Sequence, residues 1–322
     1  MSKILIITSK NDEHADYIIN KCIEQKTNES IIRINTEDFM ENVIATFDGF
    51  SFEVQVKDSG KHFTNRDIKT VWYRRPLPVT TGYFEDEGVS RFVHSQCENF
   101  LKGLYYCTHN SALWINLLDA DLFAKNKFYQ LKTALEVGFK VPSSIITNDA
   151  NRAVQFATKH SVICNKSLSV PRYTINEIQY PFMTRIVDKK ILIENKSTVS
   201  LCPTFFQEYI DKQIDIRVVI FNRDIFAFEI HSQDEKMSQV DVRGINPSKI
   251  KHVPHELPSS IIQKIRDFMS KHKLVFSSMD LALSKKGEYY FIENNCNGQW
   301  LWLEYYTNIA LSNCFISLLE NG

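Results

Sequence analysis

Short apolar runs and helical patterns alternate at the start of the chain. Lys3–Thr8 is an almost wholly apolar run, of the kind that forms a strand buried in a parallel sheet. A second apolar run follows at 31–34. The apolar positions between them recur at helical spacing: Ala15, Ile18, Ile19, Cys22 and Ile23. This β-α-β opening has no glycine-rich GxGxxG loop, so it predicts an α/β domain without a dinucleotide site.

The middle of the chain continues to mix helices and strands. Helices are predicted over 89–104, within 116–140 before Gly138, and over 153–159, and strands over 51–56, 70–73, 141–147 and 161–166. Asn148 or Asp149 is placed to cap the helix at 153. The segment 167–180 shows no pattern that we assign to an element, and we expect it to be irregular.

Strands dominate the last third. The predicted elements are strands over 204–210, 215–221 and 225–230, a helix over 258–272, strands over 279–283 and 289–295, and a terminal helix after 297–304. A Lys-Lys-Gly turn at 285–287 separates the last two strands, so these should form a hairpin.

This hairpin carries the first candidate chemistry. Asp280 lies among apolar residues on one arm, and Glu293 and Asn295 end the other. Glu293 and Asn295 are two residues apart, so they point to the same side of an extended strand. Two carboxylates and an amide oxygen suit Mg²⁺, which leaves its other positions to water and phosphate. The alternative is ordinary: a solvated strand carboxylate followed by an asparagine turn.

A second candidate is the arginine pair Arg74 and Arg75, which ends a predicted strand before Pro76. Paired guanidinium groups can bind carboxylates or phosphates through bidentate hydrogen bonds. They can equally form salt bridges between domains, and the sequence leaves both interpretations open.

Composition limits the classes of function. The chain has 322 residues, 43% hydrophobic and 24% charged, with a formal net charge of zero. This is the composition of a globular protein large enough for two or three domains. Zero net charge argues against nucleic acid or membrane as a partner bound through bulk charge. The seven cysteines form no CxxC pair, which disfavours zinc and favours a reducing, cytoplasmic location.

Taken in order, several motifs resemble those of the ATP-grasp superfamily, above all its graspetide ligases, which make microviridin-type peptides. The resemblance spans essentially the whole chain. It rests on Trp72-Tyr73-Arg74-Arg75-Pro76, Lys125-Asn126-Lys127, Lys166, Gln207-Glu208-Tyr209-Ile210, Asp215-Ile216-Arg217, Asp241-Val242-Arg243, Asp280, Phe291-Ile292-Glu293-Asn294-Asn295 and Asn297-Gly298-Gln299-Trp300-Leu301-Trp302.

The resemblance implies an α/β chain with a pre-ATP-grasp N-terminal domain followed by a two-lobed ATP-grasp fold of α+β lobes. We place the N-terminal domain at 1–115, the central lobe at 116–200 and the C-terminal lobe with the Mg²⁺ site at 201–322. ATP and Mg²⁺ are the implied cofactors. The roles that the resemblance implies are phosphate contacts by Lys127 and Lys166, base and ribose contacts by Glu208, Tyr209, Ile210 and Asp215, Mg²⁺ binding by Asp280, Glu293 and Asn295, and transition-state contacts by Arg217 and Arg243.

The resemblance also implies the reaction and the partner. Such a ligase activates Asp or Glu side chains of a ribosomal precursor peptide as acyl phosphates. Thr or Ser hydroxyls then close ω-esters, or Lys amines close ω-amides. The leader part of the precursor docks on the enzyme, and a homodimer is compatible with this kind of ligase. Two alternatives remain open: a ligase of the glutamate-ligase type that adds a free amino acid, and a peptide-binding module without turnover.

Overall fold

The structure is a computed structural model that describes residues 3–27, 30–169 and 172–321. Its strands are β1 Lys3–Thr8, β2 Ile31–Asn35, β3 Val43–Phe47, β4 Phe52–Val56, β5 Lys61–Thr64, β6 Ile68–Tyr73, β7 Leu113–Ile115, β8 Ser144–Thr147, β9 Ile163–Lys166, β10 Arg172–Ile175, β11 Ile178–Pro181, β12 Arg185–Ile186, β13 Thr204–Glu208, β14 Lys212–Phe221, β15 Asp224–Ile230, β16 His252–Pro254, β17 Phe276–Ser284 and β18 Tyr289–Asn295.

The α-helices are α1 Glu13–Glu24, α2 Phe39–Asn42, α3 Glu87–Thr108, α4 Leu118–Lys125, α5 Lys127–Glu136, α6 Ala150–Lys159, α7 Lys189–Glu194, α8 Ser259–His272, α9 Leu301–Thr307 and α10 Leu311–Asn321. None of the helices in the described ranges is both long and apolar enough to cross a bilayer. Local signals account for several of their ends. Of the two candidate caps Asn148 and Asp149, it is Asp149 that caps α6. Gly138 follows α5 with φ +83°, a conformation that glycine adopts without a steric penalty.

The N-terminal domain is built on a parallel sheet in the order β2-β1-β6-β7. The central strand β1 is buried along most of its length, as its apolar sequence predicts. A separate antiparallel sheet, β3-β4-β5, packs beside it. The strand order changes direction between β1 and β6, so their carboxyl ends form the crevice where open α/β sheets commonly bind ligands.

The C-terminal sheet is antiparallel, in the order β16-β15-β14-β17-β18. One face packs on α4, α5 and α8. The other face shares a single apolar core with the N-terminal sheet, α1, α9 and α10. Phe315 of α10 lies at its centre, 4.6 Å from Trp72 and 5.4 Å from Phe221 between ring centroids. The N-terminal domain and the C-terminal sheet are therefore joined by one continuous core.

The central lobe has its own small sheet, in the order β12-β9-β13-β8, covered by α6 and α7. Two features differ from the boundaries placed at 116 and 200. Strand β13 lies beyond residue 200 but belongs to this central sheet, because it pairs with both β8 and β9. Helices α4 and α5, expected in the central lobe, pack instead on the C-terminal sheet.

The segment expected to be irregular contains most of a β-hairpin, so that prediction was wrong over 172–180. Strands β10 and β11 pair around a two-residue turn at Asn176 and Glu177, both with positive φ. Four apolar side chains share one face of the hairpin because they alternate along the strands. They are Tyr173, Ile175, Ile178 and Tyr180, all exposed. Val170 and Pro171 lie outside the described residues.

Candidate active site

The β17–β18 hairpin brings the predicted metal-binding residues together. Asp280 lies directly opposite Glu293 in the antiparallel pairing. The Asn295 amide nitrogen Nδ2 donates to Glu293 Oε1 at 3.0 Å and to Asp280 Oδ2 at 3.3 Å. The two carboxylates and the amide therefore face one small volume at the end of the hairpin.

Each carboxylate also has a cationic partner. Arg217 Nε lies 2.6 Å from Asp280 Oδ1, and Lys127 Nζ donates to Glu293 Oε2 at 2.7 Å. Burial, opposed by Arg217, raises the pKa of Asp280 to about 6. Burial acts in the same direction on Glu293, but Lys127 and Asn295 outweigh it and hold the pKa of that carboxyl well below its usual range.

The donor set fits a cation that is shared with a second ligand. Within residues 3–27, 30–169 and 172–321, no group of three or more His, Cys, Asp or Glu side chains is placed to hold a metal ion. A metal here would therefore take oxygens from Asp280, Glu293 and Asn295 only. Mg²⁺ is commonly bound by one or two carboxylates with water and phosphate oxygens at its remaining positions. The residues present fit Mg²⁺ bound together with phosphate.

Positive side chains gather beside this hairpin. Lys127 begins α5 and Lys166 ends β9, and both lie near Glu293. In the part of the chain that the structure describes, the half-buried Lys166 ammonium has no hydrogen-bond or ion-pair partner. Burial lowers the pKa of Lys166, and the neighbouring Lys127 and Lys212 lower it further. A partly buried ammonium without a partner is stabilised by an anion, so this cluster is suited to phosphate.

Asp215 lies in the same cleft but is already bonded. Its carboxylate accepts from Lys212 Nζ, at 2.8 and 2.7 Å, and from the Ser232 hydroxyl. A ribose contact by Asp215, as the sequence analysis expects, would therefore also involve Lys212, a buried residue that the sequence analysis did not select. The Lys212 side chain is the main addition that the structure makes to the predicted site.

The segment Glu208–Ile210 offers fewer free backbone N–H donors for a nucleotide base than the sequence analysis expects. The N–H groups of Glu208 and Tyr209 already donate to Ser143 O at 2.8 Å and Val162 O at 3.0 Å. Their backbone contribution to a bound base is thus limited to carbonyl oxygens. Among the described residues, the Ile210 N–H has no backbone acceptor and is the donor that this edge leaves available.

The two predicted catalytic arginines reach the cleft from different sides. Arg217 pairs with Asp280, and its guanidinium lies 5.9 Å from the ring centre of Trp302. Arg243 forms a bidentate pair with Asp241, which also accepts from the Thr184 N–H at 2.8 Å. The pKa of Arg243 is raised, first by this hydrogen-bonded pair and also by Glu293 and Asp280, so Arg243 lies within electrostatic range of the hairpin carboxylates.

Arg74 and Arg75 have different environments. Arg74 is 2% exposed and donates to Asn297 O, in the segment after β18. Arg75 is exposed and reaches the same carbonyl at 3.4 Å. A side chain as buried as Arg74 cannot bind a peptide carboxylate from solvent. The interdomain interpretation therefore fits Arg74, and only Arg75 is accessible to a substrate.

Comparisons with known proteins bear on the fold that carries these residues. The family model for the MvdD pre-ATP grasp domain matches residues 3–82. A Chryseobacterium gregarium RiPP-associated ATP-grasp ligase, solved with ADP and a leader and core peptide, is similar over 100% of this chain and 97% of its own, with a TM-score of 0.89 and 28% identity. The chain therefore has a pre-ATP-grasp domain and shares the fold of an ATP-grasp ligase. No match is found among curated protein sequences.

Other ATP-grasp structures share the fold. Macrocyclase MdnC of Microcystis aeruginosa MRC, bound with precursor peptide MdnA, covers 99% of this chain and 100% of its own, at 22% identity and a TM-score of 0.84. D-alanyl-alanine synthetase A from Vibrio cholerae covers 99% and 98%, at 12% identity and a TM-score of 0.61. The likeness in fold to both structures thus extends over nearly the whole chain.

One nucleophilic side chain lies beside the ATP-grasp site. Cys296 directly follows Asn295 but is buried, and burial with Asp121 raises the pKa of its thiol far above the usual range. A thiol held protonated in this way is a poor nucleophile. It agrees with an ATP-grasp mechanism, which needs no covalent bond to the protein.

Proposed function

We propose that this protein is an ATP-dependent ligase that closes macrocycles in a ribosomal precursor peptide. It would activate Asp or Glu side chains as acyl phosphates and join them to Thr or Ser hydroxyls as ω-esters, or to Lys as ω-amides. The observation that carries the proposal is the position of the Lys166 ammonium, which lies within electrostatic range of Lys127, Lys212 and Glu293, the partner of Asp280 across the hairpin. The likeness to a RiPP-associated ligase solved with leader and core peptides supports the substrate class.

The chemistry needs positioning and charge neutralisation more than protein nucleophiles. A carboxylate oxygen of the peptide attacks the γ-phosphorus of ATP, and the bond to the β–γ bridging oxygen breaks to release ADP. A hydroxyl or amine of the same peptide then attacks the acyl carbon. Phosphate leaves, and the attacking group loses its proton. The net result is loss of one water from the peptide for each ring.

The residues divide this work by their chemistry. Lys127 and Lys166 neutralise the phosphates as point charges, while Arg217 and Arg243 present planar forks to the oxygens of the transferred group. Asp280, Glu293 and Asn295 would hold Mg²⁺, which supplies charge neutralisation on the phosphate oxygens when bound. The two arginines also hold Asp280 and Asp241 in place, because each arginine is paired with one of them.

The exposed hairpin β10–β11 is the best candidate surface for the leader. A lone two-stranded hairpin is marginally stable in water, and its four exposed apolar side chains lie on one face. The rings of Tyr173 and Tyr180 stack with their centroids 5.7 Å apart, which fixes two of the four side chains before a ligand binds. Helix α7 adds exposed Ile191 and Ile193 in the same lobe. An amphipathic leader segment would cover such a surface with its apolar side.

The test is the intact mass of a candidate precursor after incubation with the protein, ATP and Mg²⁺. We expect loss of one or more waters, dependent on ATP, with the links placed by fragmentation. Phosphate release with free amino acids and no precursor would favour the amino-acid ligase instead. If Glu293→Ala and wild type bind the precursor equally and neither forms product, the protein is a binding module and the proposal is wrong.

A further inference from the structure

The segment between β18 and α9 is fixed tightly against the C-terminal sheet. We call residues 297–302 the linking turn. Gly298 donates its N–H to Asn295 O at 3.0 Å, so the turn starts at the metal-binding amide. A Cβ at position 298 would lie 2.4 Å from Ser278 Cβ, which no side chain tolerates without a shift of β17. The linking turn therefore has little freedom on this side.

His14 of the N-terminal domain holds the other end of the linking turn. Its Nε2 accepts hydrogen bonds from the Trp300 N–H at 3.1 Å and the Leu301 N–H at 3.2 Å. These are the first amides of α9, and no side chain of Trp300 itself caps that helix. The ring must be neutral to accept, and burial, then Arg74, lower the pKa of His14 to about 3. His14 therefore serves as a cap supplied from another domain.

Arg74 holds the start of the linking turn. Its Nη1 donates to Asn297 O, while its Nε lies 3.9 Å from Asp12 Oδ2. Within the described residues, its Nε and Nη2 are buried and have no hydrogen-bond partner. Burying a guanidinium with unsatisfied donors costs stability. Stability alone is therefore a poor explanation for this arginine, which points to a role in fixing the linking turn.

The linking turn also contacts Arg217 and orients its side chain. Gln299 O accepts from Arg217 Nη1 at 3.3 Å, and the Trp302 ring packs against the guanidinium. Together with Asp280 these are the contacts that define where the Arg217 fork points. Two of the three come from the linking turn, which His14 and Arg74 hold from the opposite domain.

We propose that His14 and Arg74 are positioning residues for Arg217, acting through the linking turn. The N-terminal domain thereby takes part in catalysis without touching the substrate. This inference rests on the proposed function, in which Arg217 contacts the transferred phosphate. Misplacement of a catalytic group by about 1 Å can lower a rate by as much as 10²-fold.

The test compares His14→Leu, which removes the acceptor, with His14→Gln, whose Oε1 can replace Nε2. We expect His14→Leu to lower kcat at least about 10-fold with ATP affinity unchanged, and His14→Gln to recover most of the rate. His272→Leu is the matched control, because His272 is as buried as His14 but lies on α8, where its ring contacts Phe268 and Tyr129 and not the linking turn. It should keep the wild-type kcat. If His14→Leu and His272→Leu lose the same amount of kcat, His14 contributes only to the stability of the fold and the inference is wrong.

A double-mutant cycle tests whether the effect of His14 on kcat depends on Arg217. If His14 acts through Arg217, His14→Leu should cost little further kcat in an Arg217→Ala background. Additive losses would overturn the inference.

Wild-type protein that modifies no precursor would contradict the proposed function alone. Hydrogen exchange at the Trp300 and Leu301 amides would then test the inference: it should be faster in His14→Leu than in wild type and His14→Gln, and equal exchange would refute it.

Discussion

Lys212 and Asp215 are three residues apart on β14, yet the Lys212 ammonium donates to both oxygens of the Asp215 carboxylate, at 2.8 and 2.7 Å. In a regular strand these side chains would point to opposite faces. The pairing of β14 with β17 shifts register between Lys212 and Ile214, and this irregularity turns Lys212 to the face of Asp215. The pair thus depends on a local break in the strand.

Lys212→Met should destabilise the protein, because it leaves the Asp215 carboxylate with only the Ser232 hydroxyl. We expect a loss of about 2 kcal/mol in the free energy of unfolding, measured by chemical denaturation. Adding Asp215→Asn should recover part of that loss. Lys190→Met, at an exposed position on α7, should change little. A loss that Asp215→Asn does not reduce would show that the two side chains are not coupled.

Glu293→Gln should abolish most activity while leaving precursor binding intact. The substitution removes one of the two carboxylates and leaves Lys127 without its partner. We expect kcat/KM for ring closure to fall at least about 10²-fold, measured by mass spectrometry. Glu288→Gln is the matched control, since Glu288 adjoins the same hairpin but pairs with Lys140 outside the cleft. Activity close to wild type in Glu293→Gln would contradict the metal-binding role.

Lys166→Met should weaken nucleotide binding. A charge-assisted hydrogen bond contributes about 1.5–3 kcal/mol, so the dissociation constant for ATP should rise at least about 10-fold. The free energy of unfolding without nucleotide should hold or increase, because the lost ammonium had no partner. Titration calorimetry gives the first quantity and thermal denaturation the second. Lys140→Met should leave ATP affinity unchanged.

The apolar face of β10–β11 should determine affinity for the leader. Ile175→Ser with Ile178→Ser removes two of its four apolar side chains, both exposed, so the fold should tolerate the change. We expect KM for full-length precursor to rise about 10-fold while kcat and ATP affinity stay near wild type. Gln179→Ala, on the opposite face of the hairpin, is the control. A precursor without its leader should react equally slowly with both proteins.

The protein should lose stability between pH 6.5 and pH 4. Burial lowers the pKa of His272 to about 4, so the unfolded chain binds a proton there before the folded protein does. The stability from its neutral ring is complete above pH 6.5 and is lost as the pH falls toward 4, by about 1.4 kcal/mol per pH unit. His272→Leu should remove this contribution and leave the one from His14, whose pKa is also lowered, so the slope of the free energy of unfolding measured at pH 7, 6 and 5 should decrease without reaching zero. His62→Leu, at an exposed position, is the control and should show the same change of the free energy of unfolding with pH as the wild type.

The sequence predicted those features that local patterns encode. Apolar runs identified β1 and β2, and the turn at 285–287 identified the hairpin that sets Asp280 opposite Glu293. The hairpin β10–β11 was not predicted because Glu177, at φ +65°, occupies a turn position where glycine is the usual sequence signal. Its alternation of Tyr173, Ile175, Ile178 and Tyr180 was the available clue.

Other features have no local signal. Lys212 joins the site through a register shift, which a strand pattern does not reveal. His14 meets Trp300 across 286 positions of the chain, and nothing in helix α1 distinguishes it from a core histidine. Such contacts depend on how domains pack, which the order of apolar residues does not specify.

The apolar core shared by the N-terminal domain and the C-terminal sheet has a mechanical consequence. Those two regions cannot separate without exposing Trp72, Phe221 and Phe315 to water, whereas the central lobe is held by a smaller core of its own. If the proposed ligase opens to admit a nucleotide, we expect the central lobe to move, with bending in the segments 140–143 and 209–211 that connect it to the rest. The carboxylates of Asp280 and Glu293 would then stay with the fixed core, and Lys166 and the hairpin β10–β11 would move with the central lobe.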